Sequence, residues 1–163
     1  MEGKRVVASW RKVNGNRINT QSGIADNIIL NHDFSGGLHS WHPSCCNGYV
    51  VSGPSGNLEG VSSISGGSYA VVTNRKECWQ GLEQDITARV LPGSTYNVSA
   101  CVRVLGPLQG SAGVQATLKL EYPDSTTSYL FIGRAPVSKE QWEKVEGTCP
   151  AGLYFIWKGL PLE

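Results

Sequence analysis

The strictest pattern in this sequence is the alternation of apolar and polar side chains over Thr95–Leu105. Apolar residues occupy every second position, at Tyr96, Val98, Ala100, Val102 and Val104. The segment Val114–Tyr122 repeats the pattern. Successive side chains of a β-strand point to opposite faces, so a period of two predicts two half-buried strands and disfavours helices.

Turn residues recur at short intervals between such segments. Leu91-Pro92-Gly93-Ser94 and Pro123-Asp124-Ser125 are typical tight turns. About nine short strands at regular spacing predict an all-β, antiparallel β-sandwich. The segment Ser138–Val145 stays open, because Ser138 and Gln141 suit a helix start, whereas alternation from Trp142 onward suits a strand. The 20 glycines and single methionine agree with a turn-rich β protein.

Charge and length exclude several classes of protein. The net charge of +1 over 163 residues argues against a nonspecific nucleic-acid binder. No apolar run approaches the ~18–20 residues of a membrane span, and the start lacks the apolar core of a secretory signal. Residues 1–26 show no periodicity and predict a disordered, basic leader. An organelle transit peptide is the alternative for this Arg-rich start.

The five cysteines match no zinc-binding spacing. His39, His42, Cys45 and Cys46 are close in sequence, but neighbouring cysteines rarely chelate one ion, so we predict no metal there. Cys45 or Cys46 could pair with Cys78 in an exported protein, which leaves an odd thiol. Asn97-Val98-Ser99 is a glycosylation sequon within a predicted strand.

The stretch Tyr69–Ile86 carries the candidate ligand-binding residues. A strand over Ser68–Thr73 runs into a polar turn, and Trp79 then stands between charged residues and glycine. An indole beside Arg75 suits a flat ligand with apolar and hydroxylated parts, such as a sugar. The alternative interpretation is a tryptophan at the rim of the core.

An enzymatic reading rests on the carboxylates Glu83 and Asp85, which share one face of a predicted strand. Glycoside hydrolysis needs two carboxylates about 5–9.5 Å apart, and this spacing allows it. Neighbouring exposed acids on a strand are more often a solvated face. We therefore predict no intrinsic catalysis.

Several motifs together resemble a family-22 carbohydrate-binding module, as found before the catalytic barrel of plant family-10 endo-1,4-beta-xylanases. The resemblance covers about Asn27–Thr148. Its motifs are Asn31-His-Asp-Phe-Ser-Gly-Gly-Leu with Trp41, Gly67-Ser-Tyr-Ala-Val-Val, Trp79-Gln-Gly, Leu91-Pro-Gly-Ser-Thr-Tyr with Ser99-Ala-Cys-Val, Leu118-Lys-Leu-Glu-Tyr122, Ser128-Tyr129, and Gln141-Trp-Glu-Lys-Val-Glu-Gly-Thr148.

The resemblance implies a galactose-binding-like β-jelly roll that binds xylan or a related β-1,4-linked polysaccharide without catalysis. It implies that Trp79 stacks on a xylose ring and that Tyr122 and Tyr129 line the same cleft. Arg75 is close enough in sequence to hydrogen-bond sugar hydroxyls. The resemblance also implies a structural calcium, a monomer, no nucleic-acid or membrane partner, and a place in the plant cell wall.

The C-terminal tail, residues 149–163, departs from the family pattern. The segment Leu153–Pro161 stands where the family has a strand ending in Glu-Gly-Pro, and Lys158 falls near the place of a cleft glutamate. Codons compatible with Tyr154–Pro161 spell Phe-Tyr-Leu-Glu-Gly-Pro in another frame. Our hypothesis is a frame-shifted or alternatively spliced end. It predicts incomplete C-terminal strands, an unpaired sheet edge and a calcium site without its last ligand. A protein-interaction role, or no binding activity, is the alternative function for such a product.

Overall fold

The computed structural model describes residues 5–9, 27–52, 67–91, 93–106, 112–137, 141–150 and 156–158. These residues form ten strands and one short 3-10 helix, Thr87–Arg89. The strands are β1 Arg5–Ser9, β2 His42–Ser44, β3 Asn47–Val51, β4 Tyr69–Thr73, β5 Gly81–Asp85, β6 Thr95–Leu105, β7 Gly113–Glu121, β8 Thr127–Pro136, β9 Glu143–Pro150 and β10 Ile156–Lys158.

The strands make two five-stranded antiparallel sheets. Sheet one has the order β3-β4-β1-β6-β9, and sheet two has the order β2-β5-β10-β7-β8. Their inner faces share one core, in which Val102 of β6 and Leu118 of β7 are fully buried. The predicted all-β antiparallel sandwich of the jelly-roll type is confirmed.

Both sides of the sandwich are closed by strands that link the sheets. On one side, the chain leaves β2 in sheet two and enters β3 in sheet one through Cys45, whose φ of 52° makes the sharp turn. On the other side, β8 and β9 cross at Gly133 and Gly147. A Cβ on Gly147 would stand 1.9 Å from the Ile132 carbonyl oxygen, so the two edges meet only because glycine stands there.

The predicted strand over Asn27–Leu30 is absent, and this segment bends instead. The Gln84 side chain explains the difference, since it bonds both backbone groups of Leu30: Leu30 N–H donates to Oε1 at 2.8 Å, and Nε2 donates to the Leu30 carbonyl at 2.9 Å. A side-chain amide thus replaces a neighbouring strand. Ile29 reaches the core from a bend.

The N-terminal segment differs from the predicted disordered leader at Arg5–Ser9. These residues form β1, which pairs with β4 on one side and β6 on the other. Five residues are too few to show periodicity, but a strand between two neighbours satisfies backbone groups on both edges. The rest of the predicted leader, residues 1–4 and 10–26, lies outside the described residues.

The tail also differs from the expectation of an unpaired edge. Ile156–Lys158 form β10, which lies inside sheet two between β5 and β7. The remaining tail residues, 151–155 and 159–163, lie outside the described part of the chain. The open choice at Ser138–Val145 is decided from Glu143 onward, where β9 pairs with β6 as a strand.

The place of β1 can be tested by proline substitution. We expect Val7→Pro to lower the free energy of unfolding by on the order of 2 kcal/mol or more, because an inner strand would lose a backbone donor. Val7→Thr keeps the backbone donor and a β-branched residue, and should lose less stability than Val7→Pro in urea. Equal stability of the two variants would contradict the pairing of β1 with β4 and β6.

Candidate functional site

The solvent side of sheet two carries exposed aromatic rings. Tyr129 and Phe131 of β8 are 60% and 57% exposed, and they pair with Lys119 and Thr117 of β7. Directly paired residues share a face, whereas the intervening Leu118 is fully buried. We call this surface the aromatic face. It is defined by Tyr129, Phe131, Lys119, Glu121, Glu83 and Asp85.

Trp79 stands on a turn just before β5, with its side chain 48% exposed. The backbone of this turn is hydrogen-bonded by the side chain of Gln80, which is only 6% exposed. Its Oε1 accepts the Lys76 N–H at 2.5 Å and the Glu77 N–H at 3.1 Å. The indole is therefore presented to solvent on a fixed backbone, the arrangement that makes stacking on a ligand inexpensive in conformational entropy.

Arg75 belongs to the same turn and is half-buried. Its Nη2 donates to the Cys78 carbonyl at 2.7 Å, directly before Trp79. Burial lowers the pKa of Arg75 to about 10, and the nearby Cys46 and Cys78 partly oppose that shift. The guanidinium is thus still charged at neutral pH. The hydrogen bond to the Cys78 carbonyl orients the turn. A bond from Arg75 to sugar hydroxyls stays a prediction.

The turn that carries Trp79 is also packed against the β2–β3 connection. The Cys46 thiol lies 3.6 Å from the Gly81 carbonyl, to which it donates, and burial raises the pKa of Cys46. All described cysteines, Cys45, Cys46, Cys78, Cys101 and Cys149, are free thiols. The structure accordingly contains no disulfide between Cys78 and either Cys45 or Cys46.

The predicted ligand-binding residues fall into two groups at opposite ends of sheet two. Lys119 pairs with Tyr129 and with Ile156, and Ile156 pairs with Asp85, so these residues form one row across the sheet. Trp79 precedes Asp85 by six positions. From Gly81, where β5 begins beside the turn, to Asp85 the strand rises about 13 Å, and three strand spacings add about 14 Å across the sheet. Only an extended ligand could contact both groups.

Tyr122 follows the end of β7, and its hydroxyl lies 3.1 Å from the Ser128 hydroxyl. Ser128 pairs with Leu120, which packs against the core, whereas Tyr129 points to solvent. The structure therefore brings Tyr122 and Tyr129 close in the fold without placing them on one face. A contact of Tyr122 with ligand stays a prediction.

Phe131 is a surface aromatic that our sequence analysis missed. It lies two residues after Tyr129 on the same strand and on the same face, nearer to the level of Trp79. The signal was present, because the predicted strand Ser128–Ile132 already placed both rings at alternate positions.

The motif around Phe34 and Trp41, part of the family resemblance, serves packing. Phe34 is fully buried, and its ring centre lies 5.4 Å from that of Trp41. Trp41 Nε1 donates to the Asn31 carbonyl at 3.0 Å, and the Asn31 side chain bonds the backbone of Gly36, Gly37 and His39. This loop covers one part of the core and offers no exposed aromatic platform.

Two further findings concern metal-binding side chains and membrane-spanning helices in the described part of the chain. Its histidine, cysteine and acidic side chains form no group of three or more that could hold a metal ion. They therefore do not supply a side-chain cage for the calcium that the resemblance implies. Over the same residues, no helix has the length and apolar character needed to cross a membrane.

A β-sandwich with a solvent-facing sheet of aromatic and polar side chains defines a recognition module. The chain belongs to the carbohydrate binding domain family, whose model matches residues 26–150. It is 57% identical over 122 residues to endo-1,4-beta-xylanase 1 of Arabidopsis thaliana, and 50% identical over 143 residues to endo-1,4-beta-xylanase 2 of that plant. These matches cover 74% and 85% of this chain but only 13% of each xylanase.

Solved structures share the fold. The C-terminal family 22 carbohydrate binding module of Clostridium thermocellum Xyn10B superposes with a TM-score of 0.63 at 19% identity, covering 80% of both chains. The CBM22-2 xylan-binding domain of Paenibacillus barcinonensis Xyn10C gives 0.62 at 19% identity, again over 80% of both. The predicted resemblance to family-22 modules is thereby confirmed.

The support of the turn by Gln80 can be tested with Gln80→Met, which keeps the length of the side chain and removes the acceptor. We expect the free energy of unfolding to fall by about 1–2 kcal/mol, because two backbone N–H groups lose their partner. Urea denaturation measures this loss. Gln141→Met, at an exposed position, should change stability by less than about 0.5 kcal/mol. A Gln80 variant as stable as the Gln141 variant would show that the turn does not depend on the amide.

Proposed function

We propose that this chain binds xylan or a related β-1,4-linked polysaccharide through the Trp79 turn and the aromatic face. The observation that carries the proposal is the exposed indole on a turn fixed by Gln80 and Arg75. The faces of pyranose rings are apolar and their edges are hydroxylated. An exposed indole with carboxylates, amines and amides nearby offers both kinds of contact.

An extended polymer fits the geometry better than a single sugar does. The start of β5, beside Trp79, and the pair Tyr129–Phe131 are separated by about 15–20 Å, from strand rise and spacing. Each platform would bury on the order of 100 Å² of apolar surface, or about 2.5 kcal/mol gross at 25 cal/mol/Å². After ordering costs, two or three platforms correspond to micromolar to millimolar affinity. Binding is then weak and reversible.

The two Arabidopsis relatives are named as xylanases, and the second of the two structures described above as a xylan-binding domain. These names support xylan as the first polysaccharide to test. We further propose that the chain acts as a monomer without catalysis, and that in a longer product such a module would hold a catalytic domain on plant cell-wall polysaccharide. Glu83 and Asp85 then serve as polar contacts. Asp85 is exposed, and its carboxylate accepts the Thr87 N–H at 2.8 Å.

The test is affinity electrophoresis in native gels that contain soluble xylan. Wild type should be retarded, and Trp79→Ala should bind at least about tenfold more weakly, because 1.4 kcal/mol corresponds to tenfold and the platform contributes more than that gross. Tyr129→Ala and Phe131→Ala should each weaken binding less, since a single-ring platform is smaller than indole.

Tyr49→Ala is the matched control, because Tyr49 is 46% exposed but lies on β3 of sheet one. It should migrate like wild type in the presence and absence of xylan. The proposal is contradicted if Trp79→Ala, with a native circular dichroism spectrum, is retarded as strongly as wild type. It is equally contradicted if Tyr49→Ala loses as much retardation as Trp79→Ala.

A further inference from the structure

The opposite surface of the sandwich carries a feature that carbohydrate binding does not use. Strands β6 and β9 of sheet one present an open groove of about 380 Å³ to solvent. Asn97 and Ser99 of β6 line it on one side, and Lys144 and Glu146 of β9 line it on the other. Lys144 and Glu146 form an ion pair with each other. The Asn97 side chain has no hydrogen-bond partner among the described residues.

Asn97, Val98 and Ser99 form an Asn-x-Ser sequon whose middle residue is not proline. It is the only such sequon in the 163 residues. The strand turns Val98 into the core, where it is 8% exposed, and turns Asn97 out to solvent with Ser99 beside it. The folded chain therefore leaves the acceptor amide outside.

We propose that Asn97 is an N-glycosylation site, modified when the chain passes through a compartment that holds the transferase. The co-reactant is an oligosaccharide linked to a lipid pyrophosphate. Asn97 Nδ2 loses one proton and bonds the anomeric carbon of the first sugar, while the bond from that carbon to the pyrophosphate breaks. The lipid pyrophosphate leaves with the electron pair, and no oxidation or reduction occurs.

The position of Asn97 is compatible with both folding and binding. Its Cα pairs with Thr148, and β9 is the outermost strand of sheet one. A glycan on Asn97 points away from the core and projects from the solvent side of sheet one, beside the groove between β6 and β9. The aromatic face lies on the other sheet, so the glycan leaves it open. This inference does not depend on the identity of the polysaccharide ligand.

The experiment expresses the whole chain behind a cleavable secretion signal in yeast. A C-terminal tag with a second sequon reports entry into the glycosylating compartment. Secreted and cell-retained protein are both analysed by intact mass before and after peptide N-glycosidase F. We expect two glycans on wild type and only the tag glycan on Asn97→Gln and Ser99→Ala. Ser99→Thr keeps the sequon and should again carry two.

Deglycosylation in water labelled with heavy oxygen should convert Asn97 to labelled aspartate, which peptide mass spectrometry locates. Because retained protein is measured as well, a variant that folds poorly still reports its glycan. The proposal is overturned if wild type carries the tag glycan alone, or if Asn97→Gln keeps both glycans. Removal of the glycan should leave retardation by xylan unchanged, and a change would contradict the separation of the two surfaces.

Discussion

Strand β5 holds the structure around it through two buried amides on its core side. Gln80, Leu82 and Gln84 alternate inward and are all almost fully buried. Gln84 bonds both backbone groups of Leu30 and accepts Arg89 Nη2 at 2.8 Å, so it fixes the loop that carries Phe34 and Trp41. Gln80 fixes the turn that carries Trp79. Buried amides are costly unless bonded, and here the bonds join the Phe34–Trp41 loop and the Trp79 turn to one strand.

The alternation of inward and outward side chains along each strand explains why one face of each sheet is exposed to solvent. A shift of one residue in register would exchange the two faces of a strand. With the observed register, Leu118 and Leu82 fill the core, while Tyr129 and Phe131 reach solvent. Sheet two thus exposes aromatic rings to solvent, and sheet one exposes the Asn97 sequon on the far side. The two surfaces can act independently because the core separates them.

Sequence alternation predicted the parts of the fold that depend on local pattern. Thr95–Leu105 is reproduced residue for residue, and the polar turn before Trp79 made its indole a candidate for stacking on a sugar, with the rim of the core as the alternative. Where hydrogen bonds between distant residues determine the conformation of a segment, the local sequence pattern did not predict it. The local pattern of Asn27–Leu30 predicts a strand. The segment bends instead, because the side chain of Gln84, more than fifty positions away, bonds the backbone of Leu30. Arg5–Ser9 and Ile156–Lys158 are too short to show periodicity, and their pairing depends on vacant positions between other strands. The relation of Tyr122 to Tyr129 likewise depends on where β7 ends.

The central claim is that sheet two and its Trp79 turn form the ligand-binding surface. Amide and indole NMR signals followed during titration with xylohexaose test it directly, since they report each residue separately. The account predicts that the Trp79 indole N–H shifts together with the amides of Tyr129 and Phe131, while Asn97 and Ser99 stay in place. Shifts confined to sheet one, or an unmoved Trp79 indole when other signals saturate, would contradict it.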